Sequence, residues 1–376
     1  MVGEPIKIGI GGIRACVIER TIIVSCSKPL RTLSSAAMNG GLTHARTIIH
    51  HQVPRNYNFR EPDEYLRLFA KRKLNCKNPV VGLMTAANVR CFASTKLTLR
   101  RVSVVAIVTA GLSHPASAAE EALESSSTLE TINLILIIDG NPSDGCMVEI
   151  VKTATEAKAA TMVDLDIPSR YSNDVSTETV TDAIAVVSTG RGARLDHAGT
   201  ATKLGHLVAG VVKNGIEEAL AKQERILRGR PLLHRLQERG ISLHDLIETG
   251  TAIVVRAGTV SNCKASARLT RELKRALTDI NVEAMILAAV RLEEDGRKGL
   301  IPGLTAKRFA SDPIALVADE SIGIAIANYL GGTWGIYNFL RYDRMKPGIM
   351  KKLGPFMDDA IGGLVAGAMT RAMTQR

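Results

Sequence analysis

The chain has 376 residues, enough for two domains, and its 48 Lys and Arg against 37 Asp and Glu give a formal net charge of +11. Apolar residues at 45% and charged residues at 23% describe an ordinary globular composition and exclude a disordered chain. Aromatic residues at only 3% leave few stacking platforms for bases, so the positive charge fits solubility or an anionic small substrate, not nucleic acid.

The first half of the chain alternates between strand and helix patterns. Short apolar runs at 15–19 and 21–25 lead into a Ser- and Gly-rich loop at 33–41. Continuous Val- and Ile-rich runs at 79–84, 102–109, 132–138 and 182–188 read as buried strands. Between them Met147, Ile150, Val151, Ala154 and Ala157 recur at helical spacing, and Leu204, Val208, Val211, Val212, Ile216 and Leu220 mark a long amphipathic helix. The fold expected for residues 1–222 is α/β or α+β with a largely buried mixed sheet. Residues 221–231 (AKQERILRGRP) are basic and poor in apolar residues, which predicts an exposed helix end and a linker at 223–231.

From residue 232 onward helical periodicity dominates, at 232–239, 243–249, 264–277 and 282–291, and predicts an all-α domain over 232–376. The strand-like run at 252–255 is too brief to build a sheet. Six cysteines (Cys16, Cys26, Cys76, Cys91, Cys146 and Cys263) form no CxxC pair, as expected of reduced thiols in a cytoplasmic protein. Glu4 and Lys7 interrupt the start, so no secretory signal is expected. The apolar runs fall short of the roughly 18 residues that cross a bilayer, so no stable membrane insertion is expected.

Residues 312–367 carry the densest chemistry: Asp319 and Glu320, then Arg341, Asp343, Arg344 and Lys346, then Asp358 and Asp359. Acids on otherwise apolar helices are costly unless a cation meets them. Asp319, Gly323 and Ala327 share one helix face, as do Asp359, Gly363 and Gly367, so each helix carries a small-residue stripe with a carboxylate at one end. Hard oxygen ligands gathered this way suit Mg²⁺ with substrate phosphate, which implies metal-assisted attack of water on a phosphomonoester. Spacing alone leaves a second reading open, a structural network of these acids with Arg341, Arg344, Lys346, Lys351 and Lys352.

The run ADESIGIAIANYLGG…YNFLRYDRMKPGIMKKLGPFMDDAIGGLVAG closely resembles the phosphatidylglycerophosphatase A family. It is still more similar to that family's soluble archaeal relatives, the α-ribazole-5′-phosphate phosphatases. The resemblance puts the DE pair on Asp319 and Glu320, the DD pair on Asp358 and Asp359, and the R-x-x-D-x-x-K-P signature on Asp343, Lys346 and Pro347. Arg341 stands one residue nearer Asp343 than that signature has it. The resemblance implies Mg²⁺ held by Asp319, Glu320, Asp343, Asp358 and Asp359, with Asp343 also catalytic. The placement of Arg341, Arg344 and Lys346 beside Asp343 makes these three the candidates to bind the substrate phosphate.

In the first half, Ser34, Ser35 and Asn39 sit beside Gly40 and Gly41, where backbone N–H groups can approach a ligand. Thr85, Thr109 and Asn133 lie at strand ends, where α/β folds collect sites. A nucleophilic Ser34 or Ser35 with His114 as base is conceivable, though no GxSxG elbow exists. His44, His50 and His51 have no metal spacing and read as core or surface residues.

The pieces LSSAAMNGG, GLMTAAN, VTAGLSHP, TINLILIID, TEAKAATMVDLDI, VSTETVTDAIAVVS and AGTATKLGHLVAGVV resemble the adenosylcobinamide amidohydrolase family over residues 1–222. Glu178 stands where that family commonly has glycine, and His114 and Pro115 depart from its TAG-x-SNA pattern. The resemblance implies hydrolysis of the amide between the aminopropanol arm and the corrin ring, releasing adenosylcobyric acid. The reaction class then calls for Asp182 or Glu156 to activate water and Lys158 or Lys203 to polarise the carbonyl. Ser34, Ser35, Asn39, Gly40, Gly41, Thr85, Thr109 and Asn133 are the substrate-contacting set.

Together the two resemblances imply a bifunctional cobamide-salvage hydrolase with Mg²⁺ in its second domain and with corrinoid and α-ribazole phosphate substrates. The alternatives are phosphatidylglycerophosphatase activity in the second domain and a non-catalytic corrinoid-binding first domain. Small-residue faces such as that of Gly363 and Gly367 suit packing inside the domain or across a homo-oligomer.

Overall fold

A computed structural model of the chain describes residues 3–57, 61–74, 79–120, 130–172, 174–256 and 262–374. The chain divides between Gly229 and Arg230 into two compact units. The first is a nearly closed mixed sheet with helices, and the second is helical.

The first unit opens with β1 (Glu4–Ile6), β2 (Ile13–Ile18), β3 (Thr21–Ser34) and β4 (Gly41–Gln52), followed by α1 (Pro62–Arg72) and β5 (Val80–Thr85). Then come β6 (Ala93–Leu99), β7 (Val102–Thr109), the short β8 (Pro115–Ala116), β9 (Asn133–Asp139) and β10 (Asn141–Pro142). Helix α2 (Asp144–Asp164), β11 (Glu178–Thr179), β12 (Ala183–Ser188), β13 (Arg194–Leu195) and α3 (Lys203–Glu224) complete it. The main sheet runs β1-β2-β3-β12-β9-β7-β6, with β4 paired to both β3 and β5. Parallel pairing joins β4 to β5 and β9 to β12.

Both faces of the central strands are buried, which is why they read as unbroken apolar runs. Ile22, Ile48, Leu83, Ile107, Ile135 and Val187 pack together on one face. Val104, Val108, Leu134, Leu136 and Val186 turn the other way, onto α2 and α3. Ser143 and Thr202 cap those helices, their hydroxyls accepting the N–H of Cys146 and Gly205.

The structure extends the early strands. The run at 21–25 begins a 14-residue strand, β3, whose register shifts between Ser25 and Leu30. Pro29, which donates no ladder hydrogen bond, falls in that irregular stretch. Below the shift β3 pairs with β2, above it with β12, and with β4 on both sides of the shift. Strand β4 went unread because His44, Arg46, His50 and His51 break its apolar alternation.

The second unit comprises α4 (Leu232–Glu238), α5 (Leu243–Arg256), α6 (Asn262–Ala276), α7 (Ile280–Lys298), α8 (Ala306–Phe309), α9 (Ala318–Met345) and α10 (Pro355–Thr374). The run at 252–255 lies in α5 and is helical, the continuation of a helix already under way. Nearly every residue of α10 is buried, with α5, α6, α7 and α9 packed around it. Among the described residues no helix is long and apolar enough to cross a membrane.

Helix α9 folds back at Gly332, whose φ of 59° and ψ of −153° break the helix. The returning stretch packs Phe339 against Gly323. In the basic run at 221–231, Arg230 is not exposed: it is buried, and its Nε donates to Glu238 Oε1 at 2.8 Å. The free thiols Cys16, Cys26, Cys91, Cys146 and Cys263 form no disulfide, and Cys76 lies outside the described residues.

Candidate functional site

In the second unit, close helix packing gathers the carboxylates. A Cβ on Gly363 would fall inside the van der Waals shell of the Gly323 carbonyl oxygen, and one on Gly367 would meet Leu330 and Ala327. The same offset in residue number relates Gly323 to Gly363, Ala327 to Gly367 and Asp319 to Asp359, so α10 runs parallel to the first stretch of α9. The fold-back at Gly332 returns the end that carries Asp343 toward the same place.

The outcome is a cluster in which one oxygen each of Asp319, Glu320 and Asp359 lies within 4.8 Å of the others. Asp319 and Asp359 are buried. Glu320 Oε2, Asp358 Oδ1 and Asp359 Oδ1 have no hydrogen-bond partner among the described residues. Burial, then repulsion from Asp358, Asp343, Asp319 and Glu320, pushes the Asp359 carboxyl up to about 9. Burial and the adjoining Glu320 raise Asp319 to about 7. Orphaned, mutually repelling, hard oxygen donors fit a divalent cation such as Mg²⁺.

Asp358 faces differently from its neighbour. Lys346 Nζ donates to Asp358 Oδ2 at 2.5 Å and to Asp312 Oδ2 at 3.2 Å. Burial works against the Lys346 ammonium, but the bonds to Asp358 and Asp312 outweigh it and raise its pKa. Burial still holds the Asp358 carboxyl at about 6 against the lysine's pull. Arg341 is not drawn in: its guanidinium lies over the exposed Tyr337 ring, 4.6 Å from the centroid. Glu293 was invisible in the sequence as a partner of this region. Its Oε2 accepts the N–H groups of Phe356 and Met357, holding the first turn of α10.

In the first unit, Lys158 projects from the middle of α2 with its side chain 3% exposed. Its Nζ donates to Asp182 Oδ2 at 2.5 Å and Glu178 Oε2 at 3.0 Å. Asp182 stands in the turn ahead of β12. It also accepts the N–H of Ile132 at 2.9 Å, the N–H of Thr179 at 3.2 Å and the Thr179 hydroxyl. These bonds occupy both oxygens of Asp182, which makes it an anchor for Lys158 and a poor acceptor for a water proton.

Lys158, Asp182 and Glu178 line a cavity of about 360 Å³ with Ser34, Ser35, Leu33, Val151 and Ile184. Ser35 Oγ accepts the Ile184 N–H at 3.1 Å. The buried Ser34 Oγ has no partner among the described residues.

Other expected residues lie elsewhere. Glu156 points to an exposed Lys152, 3.8 Å away, and neither it nor the exposed Lys203 lines this cavity. His114 bonds Ser113 and is likewise not part of the lining. Asn39 pins its turn to the body of the unit, donating to Val80 O at 2.7 Å and accepting from Arg67. Gly40 follows that turn and Gly41 begins β4, and neither lines the cavity.

Thr109 and Asn133 gather around His50, which is fully buried. Asn133 Nδ2 lies 3.1 Å from His50 Nε2 and donates to Met84 O at 2.7 Å, while Thr109 Oγ1 is 3.4 Å from the same Nε2. Burial, then the neighbouring His51, holds His50 near 3, so its imidazole is neutral. Asn133 Oδ1 accepts the Ala183 N–H, which ties this cluster to the turn of Asp182. Thr85 instead accepts the Ala87 N–H at its own strand end.

Comparisons with known proteins agree with this division. Residues 11–228 match the model of a family described as adenosylcobinamide amidohydrolase, and residues 284–374 that of phosphatidylglycerophosphatase A. Both are families of hydrolases. An adenosylcobinamide amidohydrolase of Methanosarcina mazei is 28% identical over 190 residues, covering 50% of this chain and 88% of its own length. An uncharacterized protein of Methanocaldococcus jannaschii is 29% identical over 232 residues, 55% of this chain and 88% of that protein. A second one from the same organism is 38% identical over 112 residues, 29% of this chain and 85% of that protein.

Proposed function

Because this chain belongs to the adenosylcobinamide amidohydrolase family, whose model spans more than half of it, we propose that it is a bifunctional cobamide-salvage hydrolase. Its first unit cleaves the aminopropanol amide of adenosylcobinamide to adenosylcobyric acid. Its second unit removes phosphate from α-ribazole 5′-phosphate with Mg²⁺. The observation that carries the reading is a buried, orphaned carboxylate cluster on the same chain as an amidohydrolase unit.

In the first unit the substrate's amide carbonyl sits in the Lys158 cavity, and the buried ammonium donates a hydrogen bond to its oxygen. Asp182 keeps that ammonium in place. Glu178, half-exposed and bonded to the same ammonium, takes a proton from the attacking water. Ser34 offers its unpartnered hydroxyl to the substrate. The C–N bond breaks as the amine nitrogen gains a proton, leaving a carboxylate and aminopropanol.

In the second unit Asp319, Glu320 and Asp359 would hold the Mg²⁺, with Asp343 at the same end of the helices. The ion when bound supplies a Lewis acid for the phosphoryl group. Lys346 keeps Asp358 aligned beside the cluster, and Asp312 braces Lys346.

An exposed stripe on α9, Trp334, Tyr337 and Leu340, favours phosphatidylglycerophosphate as the second reading of the substrate. Phosphate release by the purified chain from the two compounds in parallel, with and without Mg²⁺, separates the readings. We expect Mg²⁺-dependent release from α-ribazole 5′-phosphate and little from the lipid. The reverse preference assigns the second unit to the lipid.

A further inference from the structure

The first unit has a second cavity, of about 480 Å³, lined by Gln52, Asn88 and Gln223 with Arg20, Arg55 and Arg90, among others. It is distinct from the Lys158 cavity, with which it shares no lining residue. Its residues follow directly on strand ends: Gln52 ends β4, and Asn88 lies just after β5.

The three carboxamides are oriented by the backbone. Asn88 N–H donates to Gln223 Oε1 at 3.3 Å, Val89 N–H to Gln52 Oε1 at 3.3 Å, and Arg90 N–H to Asn88 Oδ1 at 3.0 Å. Three consecutive backbone donors are thus satisfied by three side-chain oxygens. Each carboxamide carries its NH₂ on the same carbon as the engaged oxygen. Among the described residues none of these NH₂ groups has a partner.

The wall therefore presents amide N–H donors and guanidinium groups. Its acidic members are Glu19 and Glu130, and Glu130 is already paired with Arg55. Such a surface recognises a ligand edge rich in acceptor oxygens. The cavity is the size of a ligand fragment, too small for a whole corrinoid.

We infer that this cavity is a subsite for the carboxamide-fringed edge of the corrinoid, whose amide oxygens accept from Gln52, Asn88 and Gln223. The inference deepens the proposed amidohydrolase reading and rests on it. It also predicts where discrimination arises: a subsite built of donors rejects an analogue whose acceptor oxygens are removed.

Gln52→Glu and Gln223→Glu test it in the full chain. Each keeps the oxygen that satisfies a backbone N–H and replaces the unpartnered NH₂ with a second, anionic oxygen. We expect the Kd of dicyanocobinamide, measured by equilibrium dialysis, to rise at least about tenfold in each variant. The KM for adenosylcobinamide should rise in step while kcat, the thermal midpoint and phosphate release stay at wild-type values. Unchanged Kd in both variants overturns the subsite, as does displacement of cobinamide by millimolar inorganic phosphate, which would mark a plain anion site. Wild-type binding without hydrolysis refutes the amidohydrolase reading and leaves the subsite standing when the variants weaken that binding. Hydrolysis with variants that bind normally refutes the subsite alone.

Discussion

Asp359→Asn is expected to lower Mg²⁺-dependent phosphate release at least about a hundredfold while raising the thermal midpoint of the metal-free protein at pH 8. The first effect follows from removing one of three clustered ligands. The second follows from sign. Asp359 titrates at about 9 in the fold, far above an ordinary carboxylate, because burial and four neighbouring acids disfavour its charge. A raised carboxyl binds its proton in the folded state at pH values where the unfolded chain has lost it. The contribution of Asp359 to the stability of the metal-free fold is therefore fully present below the ordinary carboxylate range and is lost as pH rises toward 9.

Asparagine cannot ionise, so the variant escapes that loss. Mg²⁺ should raise the wild-type midpoint, by the equivalent of about 2.7 kcal/mol at a hundredfold excess over its Kd, and more at pH 9 than at pH 6. It should not move the variant's midpoint comparably. Scanning calorimetry over that pH range, with and without Mg²⁺, reads the midpoints, and a phosphate-release assay on the same preparations reads the activity. Retained activity with an unchanged Mg²⁺ response would make the acids a structural network with Lys346.

The second large effect concerns Lys158. Lys158→Met is expected to reduce amide hydrolysis by about 10²- to 10³-fold, the usual cost of losing a preorganised donor to a developing oxyanion. It should still fold, because Asp182 keeps the N–H groups of Ile132 and Thr179. Asp182→Asn is expected to cost stability, about 3 kcal/mol, since the buried ammonium then keeps only the half-exposed Glu178. The double variant should recover most of that stability and none of the activity. Glu178→Gln should lower kcat with little change in the midpoint, as a proton acceptor at the cavity's edge would. Urea unfolding and product formation, run on the same preparations, separate these roles. Equal loss of stability in Lys158→Met would show the lysine to be chiefly structural.

What was legible in the sequence was mostly local and periodic. The two stripes, Asp319–Gly323–Ala327 and Asp359–Gly363–Gly367, meet in the structure because small residues four apart lie on one helix face. The buried strands 102–109 and 132–138 were readable because both of their faces are covered. The meeting of Lys158 with Asp182 was not readable from spacing, since it joins a helix to the turn that leads into an interior strand, β12.

The same holds for His50: Thr109 and Asn133 are partners on the paired strands β7 and β9, and His50 reaches them from β4, separated from β9 by β3 and β12 in the sheet. The break at Gly332 was hidden inside a continuous helical pattern, although it returns Asp343 toward Asp319. Asn39 and Glu156 show the converse. Polar residues beside glycines or on a helix read as chemistry, yet here they tie down a turn and face an exposed lysine. Glu178, which departs from the resembling family's pattern, proved to bond the buried lysine.

The most direct test is to incubate the purified full chain with adenosylcobinamide and to separate the products chromatographically. Adenosylcobyric acid and aminopropanol forming in equal amounts, with loss of both in Lys158→Met, is the predicted result. Unconsumed adenosylcobinamide in the presence of folded wild-type protein would contradict it.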